Sequence, residues 1–84
     1  MQDKIITIFR TRQCKISKAL IEELNKSSID LEQLQVVYIR DQPDISTFYR
    51  IKVSPTVLLF ADAEETERHE GEVPVSVILD FLVN

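Results

Sequence analysis

The sequence predicts a small α/β domain with the element order βαβαββα. Short β-branched apolar runs alternate with segments of helical apolar spacing, which is the pattern of strands separated by helices. The three prolines stand at or just before predicted element starts, where a missing backbone donor is tolerated. At 84 residues, the chain is expected to form one domain spanning residues 1–84 around one core.

The first half predicts a βαβ unit. Lys4–Phe9 is a nearly continuous apolar run, typical of a strand that is buried on both faces. Cys14–Lys26 follows as an amphipathic helix, with apolar positions at Ile16, Ala19, Leu20 and Leu24. Leu34–Ile39 is a second strand of the buried type. A strand, a helix and a strand in this order favour a parallel pair with a right-handed crossover.

The second half predicts a short helix, a β-hairpin and a last helix. Pro43–Arg50 has helical apolar spacing at Ile45, Phe48 and Tyr49. Strand 3, Thr56–Phe60, follows Pro55, and a polar link leads to Thr66–Glu70. That fourth segment has no apolar residue, which suits an exposed edge strand. The last helix begins at Pro74 and carries one apolar stripe of Val77, Ile78, Phe81 and Leu82.

Composition and charge exclude several functions. Ten basic against 14 acidic residues give a net charge of −4, which argues against nucleic-acid or acidic-membrane partners. No apolar stretch approaches the roughly 20 residues needed to cross a bilayer. A single cysteine excludes a dithiol-disulfide cycle within the chain, and the start of the sequence is unlike a signal peptide. These features predict a cytoplasmic protein.

Two segments resemble the thioredoxin and glutaredoxin superfamily. Ile8–Lys15, where a turn leads to a cysteine and a lysine at the start of a helix, resembles a thioredoxin active-site segment. Val53–Phe60 resembles the family's cis-proline loop and the strand after it, and Gly71 stands where a thioredoxin has a glycine after its last strand. The resemblance implies a minimal thioredoxin-like fold, with a four-stranded mixed sheet flanked by helices and a cis Pro55 before strand 3.

The motif departs from that family at its reactive position. The interval from Cys14 to Pro55 resembles the interval from the second, resolving cysteine of a thioredoxin, so Thr11 stands where the attacking cysteine would be. A hydroxyl does not exchange disulfides without an activating base. Ile5 replaces the family's buried acid, and Arg10 replaces the tryptophan before the motif.

Cys14 allows two interpretations. Near a helix N-terminus and beside Arg12 and Lys15, its thiolate would be favoured and would form mixed disulfides, with Thr11 as a hydrogen-bond donor beside it. Alternatively, Cys14 is a small buried apolar residue without reactivity. The first interpretation predicts monothiol redox chemistry, and the second predicts a non-catalytic binding module.

The resemblance also implies a groove for a protein or peptide partner, in which the Ser54 backbone would pair with an extended peptide. The candidate partner-binding residues are Arg10, Arg12, Gln13, Lys15, Ser54, Pro55 and Thr56. Their basic rim could attract a low-molecular-weight thiol or another anion, although most such clusters are only solvated surface. His69 has no neighbouring ligand and is expected at the surface, so neither a metal nor a cofactor is predicted.

Overall fold

The computed structural model describes residues 3–83 and contains a four-stranded mixed sheet flanked by helices. The elements are β1 (Lys4–Arg10), α1 (Lys15–Lys26), β2 (Leu34–Tyr38), α2 (Pro43–Phe48), β3 (Thr56–Ala61), β4 (Glu64–Glu70) and α3 (Val75–Val83). This order confirms the predicted βαβαββα pattern. A 3₁₀ turn at Leu31–Gln33, capped by the Asp30 carboxylate, was not predicted. No helix within residues 3–83 has the length and apolar character needed to cross a membrane.

The strand order, β2-β1-β3-β4, determines which strand ends lie next to each other. β1 and β2 run parallel, so Arg10 lies opposite Tyr38 at their carboxyl ends. β3 is antiparallel to β1 and places Thr56 opposite Phe9. The turn after β1, the loop after β2 and the loop before β3 therefore share one edge of the sheet.

The main core lies between one face of the sheet and the helices α1 and α3. Its fully buried side chains include Ile6, Ile8, Leu24, Val57, Leu59 and Ile78. Helix α1 contributes Ser17, Leu20 and Leu24 to this face, whereas Ile16 is 47% exposed and Ala19 is also exposed. The predicted apolar face of α1 was therefore wrong at these two positions, because the buried face is rotated toward Ser17.

The opposite face of the sheet is covered less completely. Phe9 is fully buried there, and the Tyr49 ring packs against Phe9 and Phe60 at centroid distances of 5.9 and 5.7 Å. The predicted apolar stripe of α2 is only partly buried, since Ile45 is 42% and Phe48 77% exposed. A helix of six residues is too short to cover this face, and an open apolar cavity of about 690 Å³ remains beside it.

The sequence predicted the exposure of one edge strand correctly and that of the other wrongly. β4 is mostly exposed, as expected for an edge strand rich in charge. β2 is also an edge strand, with Gln35 and Val36 exposed, so its prediction as a buried strand was wrong. The reason is topological: after β2 the chain crosses to the other side of β1, and β2 is left paired along one side only.

The hairpin between β3 and β4 is tighter than predicted. Asp62 and Ala63 form its two-residue loop, both with positive φ (52° and 70°), as in the turns that match strand twist. β4 therefore begins at Glu64, where the sequence predicted a longer polar link. On β4, Arg68 donates hydrogen bonds to the Tyr49 carbonyl at 2.6 Å and to the Glu65 carboxylate, which ties the hairpin to the end of α2.

Candidate functional site

The candidate site lies where the turn after β1 meets the loop before β3. The backbone N–H of Thr11 donates a hydrogen bond to Ser54 Oγ at 3.0 Å. The Ser54–Pro55 peptide is cis, at the position where the resemblance implied a cis bond. Pro55 is buried, and its carbonyl accepts the Gly71 N–H at 2.8 Å. Residues distant in sequence thus converge on the Thr11–Cys14 turn.

Cys14 is the N-cap residue of α1 and closes this turn. Its N–H donates to the Thr11 carbonyl at 3.3 Å, and its carbonyl accepts the Lys18 N–H at 3.2 Å. The side chain is half-buried, and no disulfide involves it. The helix therefore begins one residue later than predicted, with the Cys14 sulfur next to the backbone N–H groups of the first helical turn.

The environment of Cys14 favours its ionised form. Burial raises the pKa of the thiol, but the hydroxyls of Ser17 and Ser54 and the N–H groups of Ser17 and Ile16 stand near the sulfur and lower it. These donor groups prevail over burial, so the pKa lies below the ordinary value of a cysteine. Ser54 serves both sides of the site, because its oxygen accepts from Thr11 while its own proton is available to the sulfur.

Thr11 contributes to the site through its backbone. Its N–H binds Ser54, and its carbonyl accepts from Cys14 and from Arg10. Within residues 3–83, no hydrogen bond joins the Thr11 hydroxyl to Cys14. The hydroxyl therefore does not act as the predicted hydrogen-bond donor to Cys14 in this conformation.

Arg10 lies beneath the turn and not on its rim, which corrects its predicted position. The residue is 8% exposed. Its Nε donates to the Thr11 carbonyl at 3.0 Å, and its Nη2 donates to the carbonyls of Arg12 and Cys14 at 3.1 and 3.2 Å. A single guanidinium thus binds three carbonyls of the turn and fixes its shape.

Comparison with known proteins shows which proteins this chain is similar to. No family model matches the chain. Among curated proteins, the chain is 34% identical over 69 residues to thioredoxin M5, chloroplastic, of Oryza sativa subsp. japonica, covering 82% of this chain and 40% of the relative. It is also 34% identical over 69 residues to the M-type chloroplastic thioredoxin of Spinacia oleracea. That match covers 82% of this chain and 38% of the relative. The chain therefore spans about 40% of the length of these relatives.

Solved structures give the same result for the fold. A thioredoxin-2 described as a component of malaria parasite protein secretion machinery superposes with a TM-score of 0.81 at 16% identity, covering 98% of this chain and 82% of the other. Mitochondrial thioredoxin 3 from Saccharomyces cerevisiae superposes with a TM-score of 0.76 at 20% identity, covering 98% and 79%. The chain has the thioredoxin-like fold.

In this thioredoxin-like protein, a groove runs beside the Pro55 loop. Lys15 and Ile16 of α1 form one wall, Pro55 forms the floor, and residues 72–75 before and at the start of α3 form the other wall. The cavity measures about 400 Å³. Ile16, assigned to the core by its helical spacing, instead presents an exposed apolar surface to this groove.

The remaining predicted site residues of the thioredoxin-like domain occupy different positions. Arg12, Gln13 and Lys15 are exposed along the turn and the start of α1. Thr56 is fully buried, and its hydroxyl donates to the Val53 carbonyl at 2.7 Å, so its side chain supports the loop and does not reach a partner. This corrects its predicted role in direct partner contact.

His69 of the thioredoxin-like domain lies on the edge strand β4, as predicted, and its side chain is 31% exposed. Its Nε2 is buried without a hydrogen bond and lies 3.9 Å from a carboxylate oxygen of Glu67. No three His, Cys, Asp or Glu side chains in residues 3–83 are grouped so that they could hold a metal ion.

Proposed function

We propose that this chain is a thioredoxin-like redox protein that works through one thiol, Cys14, in thiol-disulfide exchange. The observation that carries the proposal is the partly exposed Cys14, whose pKa is lowered by neighbouring donor groups, next to the Ser54–Pro55 loop. A thiolate is the nucleophile in disulfide exchange, so a lowered pKa increases the reactive fraction at neutral pH. The named thioredoxins among its relatives support a redox role.

The proposed step is a mixed-disulfide exchange. The Cys14 thiolate attacks one sulfur of a disulfide supplied by a partner protein or by an oxidised low-molecular-weight thiol. A new S–S bond to Cys14 forms, the original S–S bond breaks, and the departing thiolate takes a proton from solvent. Because the chain has one cysteine, the thiol that later releases Cys14 must come from another molecule.

The pH dependence of Cys14 alkylation tests this proposal. We expect the rate of iodoacetamide labelling of the folded protein to rise with a midpoint below that of the same protein unfolded in urea, which should titrate near about 8.5. A Cys14→Ser variant gives the background rate. Labelling that occurs only after unfolding would contradict the proposal and favour a non-catalytic role.

A second candidate function is a non-catalytic module that binds an extended peptide. The exposed Ile16 side chain in the groove beside Pro55 favours it, because an isolated apolar side chain in a concave site can anchor a partner. Lys15 on the groove wall would pair with an acidic side chain of such a peptide.

Two synthetic extended peptides separate the two candidates. They share an acidic, apolar sequence and differ only in carrying cysteine or serine at one position. Fluorescence anisotropy should show equal binding of both peptides, abolished by Ile16→Asp, if the module is correct. Under mild oxidation, covalent capture of only the cysteine peptide, lost in Cys14→Ser, supports the redox function. Absence of both results contradicts both candidates.

The cytoplasmic location, and the absence of nucleic-acid and membrane partners, stay predictions from charge and sequence pattern. The relatives named above are chloroplast proteins by their names. The net charge of −4 remains the physical argument against polyanionic partners, since the overall field repels them.

A further inference from the structure

A small cavity of about 140 Å³ lies at the carboxyl ends of β1 and β2, separate from the groove beside Pro55. Its walls come from Arg10 and the turn after β1, and from Tyr38, Arg40 and Asp41 after β2. The carboxyl ends of neighbouring parallel strands are a common place for ligands, because the loops diverge there and leave a crevice.

The cavity contains a buried cation without a carboxylate partner. Arg10 is 8% exposed, and its hydrogen bonds run from Nε and Nη2 to three neutral carbonyls. Within residues 3–83, no acidic side chain pairs with it, and no hydrogen bond uses its Nη1. Burying a guanidinium without a counter-charge is costly, so an anion in the cavity would be stabilised.

Two further arginines and one aromatic ring complete the cavity. The guanidinium of Arg12 stacks on the Tyr38 ring at 4.2 Å, and that of Arg10 lies 5.6 Å from the same ring. Arg12 also pairs with Asp41, but both side chains are at least half exposed, and an exposed pair of this kind exchanges partners at low cost. Arg40 is exposed at the cavity wall. The cavity lining thus contains three arginines and one aspartate.

We propose that this cavity binds a small oxyanion, a carboxylate or a phosphate group, carried by the molecule that reacts with Cys14. Planar guanidinium groups donate paired hydrogen bonds to the oxygens of such groups, and the volume suits one anionic group and not a whole ligand. The cavity adjoins the reactive turn, because Arg10 binds the Cys14 carbonyl. The inference rests on the proposed exchange through Cys14 and names its substrate class: disulfides or thiols with an acidic group near the sulfur.

Anion binding is tested first without the thiol. A Cys14→Ser variant is titrated with sodium acetate and with sodium phosphate at constant ionic strength, and amide and guanidinium NMR shifts are followed. We expect saturable shifts at Thr11, Tyr38 and Arg40. The salt that binds with the lower dissociation constant shows whether a carboxylate or a phosphate is the preferred group.

Two charge-neutralising variants are then titrated, one inside the cavity as the test and one far from it as the control. Arg40→Gln should weaken binding about tenfold, the effect of losing one charge-assisted hydrogen bond. Lys26→Gln, which removes an exposed cation at the far end of α1, should leave binding unchanged. Absence of saturable shifts, or equal weakening in both variants, overturns the inference.

The exchange reaction is then tested with three disulfides of one chemistry and different charge: dithiodipropionate, bis(hydroxyethyl) disulfide and cystamine. Mass spectrometry gives the rate of mixed-disulfide formation at Cys14. We expect the dianion to react fastest and Arg40→Gln to remove its advantage over the neutral compound. Equal rates for dianion and neutral disulfide overturn the inference while the proposed function stands. If the salts bind but no disulfide reacts, the cavity is an anion site and the proposed exchange fails.

Discussion

Ser54 Oγ and the Thr11 N–H lie 3.0 Å apart and form a hydrogen bond that joins the loop before β3 to the turn after β1. The same hydroxyl lowers the pKa of the Cys14 thiol. One side chain therefore both holds the two halves of the site together and stabilises the proposed nucleophile. This dual contact explains why the geometry of the site and its reactivity should change together when Ser54 is altered.

Ser54→Ala should raise the pKa of Cys14, because it removes a hydroxyl that favours the thiolate. The rate of iodoacetamide labelling at neutral pH should fall, and its pH midpoint should move upward. Ser27→Ala is the matched control: it removes a serine hydroxyl that caps the far end of the same helix. A midpoint that moves equally in both variants, or in neither, would contradict the role of Ser54.

Stability should depend on pH through Cys14. The pKa of the folded thiol is lowered, so the folded state favours the thiolate and gains stability as pH rises from the folded pKa to the unfolded value of about 8.5. As pH falls through the folded pKa, that increment disappears. Urea unfolding of the wild type and of Cys14→Ala at several pH values between about 6 and 9 measures it. The difference in unfolding free energy between the two proteins should increase with pH, and a constant difference would refute the assignment.

The core and the groove should respond differently to truncation. Leu24 is fully buried in α1, so Leu24→Ala should lower the free energy of unfolding by about 2 to 5 kcal/mol. Ile16 lies on the same helix but is 47% exposed, and Ile16→Ala should cost less than about 1 kcal/mol. Denaturant titration measures both losses. A comparable loss for Ile16 would mean that this side chain belongs to the core, as its helical spacing first indicated.

Substitution of Gly71 should destabilise the fold because of the backbone conformation at this position and not because of neighbouring atoms. Its φ is +87°, and a Cβ atom added there would meet no atom within 4 Å. Gly71→Ala should therefore lower the free energy of unfolding by about 1 to 2 kcal/mol through conformational strain alone. Gly71→Asn should lose less, since asparagine tolerates positive φ better. Losses that follow side-chain size and not positive-φ tolerance would point to a steric cause.

The sequence was sufficient for the element order and for the meeting of Cys14 with the Pro55 loop, because strand patterns and the resemblance both depend on local residues. It was not sufficient for the edge position of β2, since local apolar spacing carries no information on which strands become neighbours. Ile16 and Ser17 differ by one helical position, and only tertiary packing shows that Ser17, bound to the Cys14 carbonyl, is the buried one.

Arg10 illustrates a further limit of sequence reasoning. A charged residue at the end of a strand is normally expected in solvent. Here its guanidinium is buried and donates hydrogen bonds to three carbonyls of one turn. Contacts with the Ser54 loop and with α1 hold Thr11 and Cys14 in place, so that the carbonyls point toward Arg10. Because these contacts are tertiary, no sequence pattern predicts the arrangement.

Thr11→Cys should convert the turn into a dithiol site. The Cys14 N–H already binds the Thr11 carbonyl at 3.3 Å, so both residues belong to one tight turn at the start of α1. A cysteine at position 11 would supply the second thiol that the exchange now needs from outside, and we expect catalysed reduction of insulin disulfides in the presence of dithiothreitol. Introducing cysteine at Gln13, an exposed neighbour in the same turn, controls for the simple addition of a thiol. If Gln13→Cys is equally active, the effect is due to an extra surface thiol. If Thr11→Cys alone gains activity, the scaffold retains the geometry for dithiol exchange and lacks only a second sulfur at position 11.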